Sequence, residues 1–215
     1  MSDVLSALGT VSATDLGRLH DRLVERAGHA GVLDVAYHVV KTPIGPLLLA
    51  ASPQGLVRVA FGREDHDAVL GQLAYKVSSR ILHAPKRVEE AAGQLDEYFE
   101  GKRLSFELPL DLRLSSGFRR QVLDHLRVIA YGRTESYGEV ARATGRPRAA
   151  RAVGTACATN PLPIVVPCHR VVHSDGSPGG YGGGLDVKYT LLALEGVLKG
   201  PGIERSHVEQ LRLGE

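Results

Sequence analysis

The chain has 215 residues, 43% of them hydrophobic and 23% charged, with a formal net charge of +2. That size supports a real core in one large or two small domains, and the balanced charge excludes a disordered chain. No apolar run reaches membrane-spanning length, the N-terminal segment lacks a basic stretch followed by an apolar core, and two cysteines make no disulfide framework, so the expectation is a cytoplasmic protein with no membrane partner.

Residues 1–32 read as a separate helical extension. Leu16, Leu19, Leu23 and Ala27 recur at helical spacing, Ser12 with Asp15 has the form of a capping box, and Gly28 and Gly31 punctuate the end. The apolar stripe is expected to dock this helix on the domain behind it. From Leu33 the pattern becomes a meander: LDVAYHVV, the turn TPIGP, LLLAA, the turn SPQG, then LVRVAF. A helix is expected from Asp65 to about Ser78, a short strand at ILHA, and an amphipathic helix with Val88, Ala91, Ala92, Leu95, Tyr98 and Phe99 on one face. This first half, 33–114, is an α+β unit with no evident chemistry.

The character changes in 115–198. SGFRRQVLDHLRVIAYG predicts a helix with Phe118, Val122, Leu126 and Ile129 inward. Ser136 and Glu139 form a second capping box ahead of GEVARATG, GRP turns the chain, and RAARAVGTACAT forms the next helix. Helix, tight glycine-containing turn, helix is the helix-turn-helix pattern. Residues 199–215 read as a C-terminal tail. Between Ser116 and His173 stand nine Arg against three acids, a local +6 that leaves about −4 on the remainder. One face therefore suits a polyanion, although a solvated Arg-rich surface accounts for the same pattern.

The strongest chemical signal is Pro167-Cys168-His169-Arg170 inside the apolar run IVVPCHRVV. A thiol beside an imidazole and a guanidinium sits in a positive field that favours the nucleophilic thiolate. A buried inert cysteine is the alternative, but His and Arg beside it would then be buried charge without a purpose. Glu195, at the C-terminal end of the helix DVKYTLLALEG, is where a macrodipole disfavours an anion. It is either a surface residue beside Gly196 or one held by a dedicated cationic or hydrogen-bonded partner.

The stretch from Ser136 to Gly196, with its helix-turn-helix, Asn160-Pro161, PCHR and the Gly-rich segment before the last helix in that order, resembles the catalytic domain of the O6-alkylguanine-DNA alkyltransferases, also called methylated-DNA–protein-cysteine methyltransferases. The match covers about Ser116 to Gly196. Leu33 to about Leu114 resembles that family's N-terminal domain more weakly, mainly through TPIGP and the meander, and residues 1–32 match nothing in it. The resemblance implies an α+β fold: a small ribonuclease H-like sheet-plus-helix domain, then a mostly helical, winged helix-turn-helix-like catalytic domain. It implies single-turnover repair, in which an alkyl group on O6 of guanine, or O4 of thymine, passes irreversibly to Cys168. The DNA partner is double-stranded, its damaged base flipped out through the minor groove, and the protein acts as a monomer.

Site roles follow from the same resemblance. His169 would act through a water as base to Cys168, Glu195 would orient His169, and Asn160 would tie the active-site loop together. Tyr137 would face the extruded base and donate to guanine N3. Arg151 would enter the stack in place of the base. Arg148, Ala149, Ala150, Ala152 and Gly154 would line the DNA face, where small residues permit close approach to the backbone; tight helix packing accounts for them equally. Tyr181, Gly182, Gly183, Val171 and Pro163 would wall the substrate pocket, the glycines leaving room for bulky adducts, with Gly184 continuing the run. Lys188 reads as structural or electrostatic support, and Cys157 as a packed thiol. No cofactor is expected. No metal is expected either, since no cysteine precedes Cys157. Three rival readings predict different outcomes: a lesion sensor would lack Cys168, a helix-turn-helix regulator would need base-reading side chains, and a Cys–His hydrolase would turn over acyl substrates.

Overall fold

The computed structural model describes residues 12–198. The tail from 199 onward and the leader before Ser12 lie outside them. Helix α1 (Ala13–His29) opens on Ser12, whose hydroxyl accepts from the Asp15 amide; the Asp15 carboxylate takes the Ser12 hydroxyl rather than its amide, so the reciprocal half of a capping box is missing. The helix docks, but not on the expected stripe. Leu16, Leu19 and Leu23 are more than half exposed, and Ala27 is the buried residue. His20 and Val24 share the buried side, roughly a quarter turn from the leucines at 3.6 residues per turn. His20 Nε2 meets the His83 carbonyl at 2.6 Å, and His83 in turn meets His38 Nδ1 at 2.8 Å. The rotation that buries Ala27 also brings His20 to this polar contact, which hydrophobic periodicity does not record.

The meander forms as expected. Strands β1 (Val35–Thr42), β2 (Gly45–Ser52) and β3 (Gly55–Phe61) pair antiparallel, Val40 opposite Leu47 and Leu49 opposite Val59. Helix α2 (His66–Lys76), capped by Asp65, crosses to β4 (Ile81–His83), which joins β1 in parallel and completes the order β3-β2-β1-β4. Helix α3 (Glu89–Phe99) follows. Alternation along β2 and β3 divides the apolar residues between two faces. One face packs α2 through Val57, Val69 and Leu73. The other contributes Leu47, Leu49, Val59 and Phe61 to a larger core that also holds Leu95 and Tyr98 of α3 and most apolar residues of the second half. The two halves thus share one core.

In the second half α4 (Gly117–Leu126) is shorter than expected. The chain turns over Arg127–Gly132, and Ile129 is still buried but from the turn rather than the helix. The pattern is the same because a turn that folds back under its helix can bury the next apolar residue too. Strand β5 (Glu135–Ser136) leads into α5 (Tyr137–Ala143), where the Ser136–Glu139 capping box is complete in both directions. Gly145, at φ +73°, makes the turn into α6 (Ala150–Ala158). Strand β6 (Val171–Val172) pairs parallel with β5 as a small wing, and α7 (Leu185–Leu194) closes the domain. Its end is a glycine cap: Gly196, at φ +73°, donates to Ala193 and Val197 donates to Leu192.

Candidate active site

The segment from α6 to Cys168 doubles back on itself around Asn160. Its side chain donates to the Val166 carbonyl at 2.8 Å and to Cys168 Sγ at 3.1 Å, and accepts from the Leu162 amide at 3.0 Å. Inside this loop Ile164 sits at φ +73°, the one non-glycine residue with positive φ among the described residues. A β-branched residue there costs about 1–3 kcal/mol, which its complete burial and the Asn160 bonds offset. Cys168 opens a single 3-10 turn, Cys168–Arg170, and is 3% exposed.

The expectation of a thiolate-favouring field at Cys168 is overturned. Burial pushes the thiol up to about 11, against the Asn160 hydrogen bond and the Lys188 charge. The two residues after it do not supply the field, because the 3-10 turn directs both side chains to Glu195. His169 Nε2 lies 2.8 Å from Glu195 Oε1, and Arg170 grips the same carboxylate through Nε and Nη2, each at 2.9 Å. Tyr98 Oη adds a bond of 2.8 Å to Oε1 and the Gly132 amide one of 3.2 Å to Oε2. Arg170 also donates to the Ile129 carbonyl. Burial pushes Glu195 up, but His169 and Arg170 outweigh it and hold the carboxyl down at about 2. Burial depresses His169, so the imidazole is neutral. With Nε2–H donated to Glu195, the basic lone pair stands on Nδ1, which has no hydrogen-bond partner among the described residues. The odd anion at the end of α7 therefore has the dedicated partners its position demanded.

Lys188 is fully buried and donates to the carbonyls of Val171 at 2.6 Å and Gly179 at 3.1 Å, pinning β6 and the following loop to α7. Tyr137, at the head of α5, packs along α6 at Gly154 and beside the His173 ring at 5.4 Å. A Cβ on Gly179 would strike the Tyr137 ring at 2.9 Å. Burial, with the two cysteines nearby, pushes Tyr137 up to about 12, so it is a protonated donor. On α6, Arg151 and the preceding Arg148 are exposed, while Ala149, Ala150, Ala152 and Gly154 form a half-buried, low-relief strip beside them. α6 packs on α4 and α5 through Val153, Ala156 and Cys157.

A cavity of about 360 Å³ opens onto Cys168, between Cys157 and Pro163 on one side and Tyr181 and Gly182 on the other. Two expected wall residues are not in it. Val171 is fully buried in β6. Gly183 faces away, and a Cβ there would come within 2.9 Å of the Phe61 ring. Its missing side chain admits Phe61, not substrate. Conversely Cys157, expected to be only packed, lines the cavity, its thiol pushed well up by burial.

Three contributors were not legible in advance. Tyr98 reads in sequence as a core residue of α3 and differs from its neighbours only in a hydroxyl. Arg170 was part of the motif, but nothing in its spacing announced Glu195 as its partner. The end of β3 was read only as a strand, yet it braces both active-site loops. The Val59 amide and Arg58 donate to the Pro161 carbonyl at 2.8 and 3.3 Å. Phe61 packs edge-on to Tyr181 at 5.4 Å, and Arg63 donates to the Gly183 carbonyl at 2.9 Å.

Residues 117–197 match the family model of the 6-O-methylguanine DNA methyltransferase DNA binding domain, and residues 35–112 that of the same family's ribonuclease-like domain. A methylated-DNA–protein-cysteine methyltransferase of Methanosarcina barkeri is 42% identical over 159 residues, spanning 74% of this chain and 96% of its own. The one from Mycolicibacterium paratuberculosis is 44% identical over 161 residues, 75% of this chain and 92% of its own. The structure is similar to that of Mycobacterium tuberculosis OGT in complex with DNA, with a TM-score of 0.66, 35% identity, and coverage of 82% of this chain and 98% of that one. With both domain models matched in order, and relatives aligned over nearly their whole length, the chain belongs to the 6-O-methylguanine DNA methyltransferase family of methylated-DNA–protein-cysteine methyltransferases, DNA-binding proteins that repair DNA.

Proposed function

We propose that the protein, acting as a monomer, takes an alkyl group from O6 of guanine, or O4 of thymine, in double-stranded DNA and retains it on Cys168. The observation that carries this is a buried set of contacts: Asn160 on the Cys168 sulfur, and His169, kept neutral by burial, bonded to a Glu195 whose charge is offset by Arg170. Helix α6 enters the minor groove on its strip of small residues, where close backbone approach matters more than base readout. Extruding the base costs a few kcal/mol, and Arg151 fills the vacated stack.

The resting thiol is protonated, so the nucleophile is made at the time of reaction. The Cys168 proton passes through a water to His169 Nδ1, and the imidazolium is stabilised by Glu195. The sulfur attacks the alkyl carbon in line; the S–C bond forms as the C–O6 bond breaks, and the bonding pair leaves with the base. Tyr137 Oη donates to N3 and neutralises the charge growing on the leaving guanine. The product is a thioether, which water does not hydrolyse, so each molecule acts once.

Incubation with duplex DNA containing O6-methylguanine should add one methyl per protein, located on Cys168 by mass spectrometry. Repeated turnover, or a methyl on Cys157, would refute the assignment. Arg151→Ala should slow repair of the duplex far more than reaction with free O6-benzylguanine, because the vacated stack exists only in duplex.

A further inference from the structure

The cavity beside Cys168 does not end at the thiol. It continues between the halves of the molecule toward α2, away from Tyr137 and Arg151, which do not line it. Val69, Gln72, Leu73 and Lys76 of α2 line it at the i, i+3, i+4, i+7 spacing of one helix face. Val69 and Leu73 are buried, whereas Gln72 and Lys76 are exposed, so the wall is apolar inside and polar at its mouth. Arg119, at the start of α4, is exposed and borders the same opening. The remaining charges on the lining, Arg58 and Glu64, neutralise each other in an ion pair. The mouth is therefore left with two unopposed cations, Lys76 and Arg119, neither of which has an ion pair among the described residues. A methyl group occupies a small part of about 360 Å³, a volume of the order taken by drug-sized ligands.

We propose that this channel is a subsite for the far end of a long O6 adduct, and that its cationic mouth prefers adducts ending in an anion such as a carboxylate. The inference rests on the proposed transfer to Cys168 and adds the chemical class of the group transferred. An apolar linker would run along Val69, Leu73 and Leu114, and the terminal carboxylate would meet Lys76 and Arg119 in partly solvated surroundings. Contacts of that kind are individually modest, so the discrimination should be about three- to tenfold between an anionic and a cationic end at low salt.

The test uses free O6-benzylguanines whose ring carries a distal carboxylate, a neutral amide or an ammonium group, with the rate of Cys168 alkylation as readout. The carboxylate should react faster than the amide and the amide faster than the ammonium, the spread should shrink as salt rises, and Lys76→Glu should reduce or invert the order. Equal rates for the three probes, or an order unchanged in Lys76→Glu, would overturn the subsite. Methyl transfer from O6-methylguanine duplex, measured on the same two proteins, separates the inferences. Its absence from the parent defeats the proposed function itself, whereas normal methyl transfer with no charge preference defeats only the subsite. Because the free probes carry no phosphate, a Lys76→Glu variant that binds duplex more weakly but handles all three probes as the parent does would assign the mouth to the DNA backbone and overturn the proposal.

Discussion

The two halves of the molecule carry their information differently. The second half is dense with chemical motifs: the proposed nucleophile, its imidazole and carboxylate, the loop-tying amide and the helix proposed to face DNA all fall between Tyr137 and Glu195. The first half has none, and its sequence is that of a plain α+β packing unit. Yet Tyr98 from α3 completes the Glu195 cluster, and the end of β3 holds both loops that flank Cys168. A domain without motifs is here the mould in which the motif-bearing loops are set, and that relation can be broken experimentally.

The sharpest asymmetry is in the chemistry. Cys168→Ser should abolish alkyl transfer completely while duplex binding persists, since the proposed function places binding in the Arg-rich helices and chemistry in one sulfur. Electrophoretic mobility shift on methylated duplex, paired with mass spectrometry, checks both. Residual transfer would move the acceptor elsewhere.

Next in size is the pH response of that sulfur in the free protein. Its acidity is reduced by burial, with the thiol at about 11, so the thiolate fraction should climb about tenfold per pH unit from neutrality to pH 10. Inactivation by iodoacetamide should follow that rise. A plateau near pH 8 would mean that a positive field outweighs burial at the sulfur, as the order of residues in PCHR suggests.

Breaking the buried carboxylate cluster tests whether the halves cooperate. Glu195→Gln leaves Arg170 buried without its counter-charge and should cost about 3–5 kcal/mol of stability. Tyr98→Phe, in the first half, removes one donor to the charged group and should cost about 1.5–3 kcal/mol. Both should slow transfer with DNA binding intact. If Tyr98→Phe changes neither denaturant midpoint nor rate, the first half is only a support.

Smaller again is the brace on the substrate loop. Gly183→Ala forces a methyl against the Phe61 ring and should cost about 1–3 kcal/mol. Phe61→Leu, made in the same chain, should recover part of that loss, so the two effects should not add. Simple additivity in a double-mutant cycle would mean the loop has another support. The smallest effect is expected from a chain beginning at Leu33. It should keep full transfer to methylated DNA while losing some thermal stability, because α1 meets the sheet at His83 through His20, away from the Cys168 loop.

The sequence legibility follows the same division. Meander, amphipathic helices, the Ser136–Glu139 capping box and helix-turn-helix are legible because each shows in the spacing and type of residues close together in the chain. The departures have physical causes. The leucine stripe of α1 was mistaken for its docking face because periodicity records hydrophobicity and not the His20–His83 contact. The end of α4 was placed too late because Ile129 is buried from the turn as it would be from a helix.

What the sequence by itself determined is the set of candidate reacting groups. A thiol next to an imidazole, an asparagine eight residues before it and a carboxylate at an unfavourable helix end are covalent facts, and their order and spacing are those of one family. What only the tertiary structure decided is the state of those groups and the space around them. Burial makes Cys168 a thiol where its neighbours in the chain suggested a thiolate. Arg170 is spent on Glu195 rather than on the sulfur. Gly183 is a seat for Phe61 rather than an open wall, and the cavity is roofed by α2, nearly a hundred residues upstream. Protonation and shape depend on which surfaces exclude water from one another, and that is set by contacts between residues far apart in the chain.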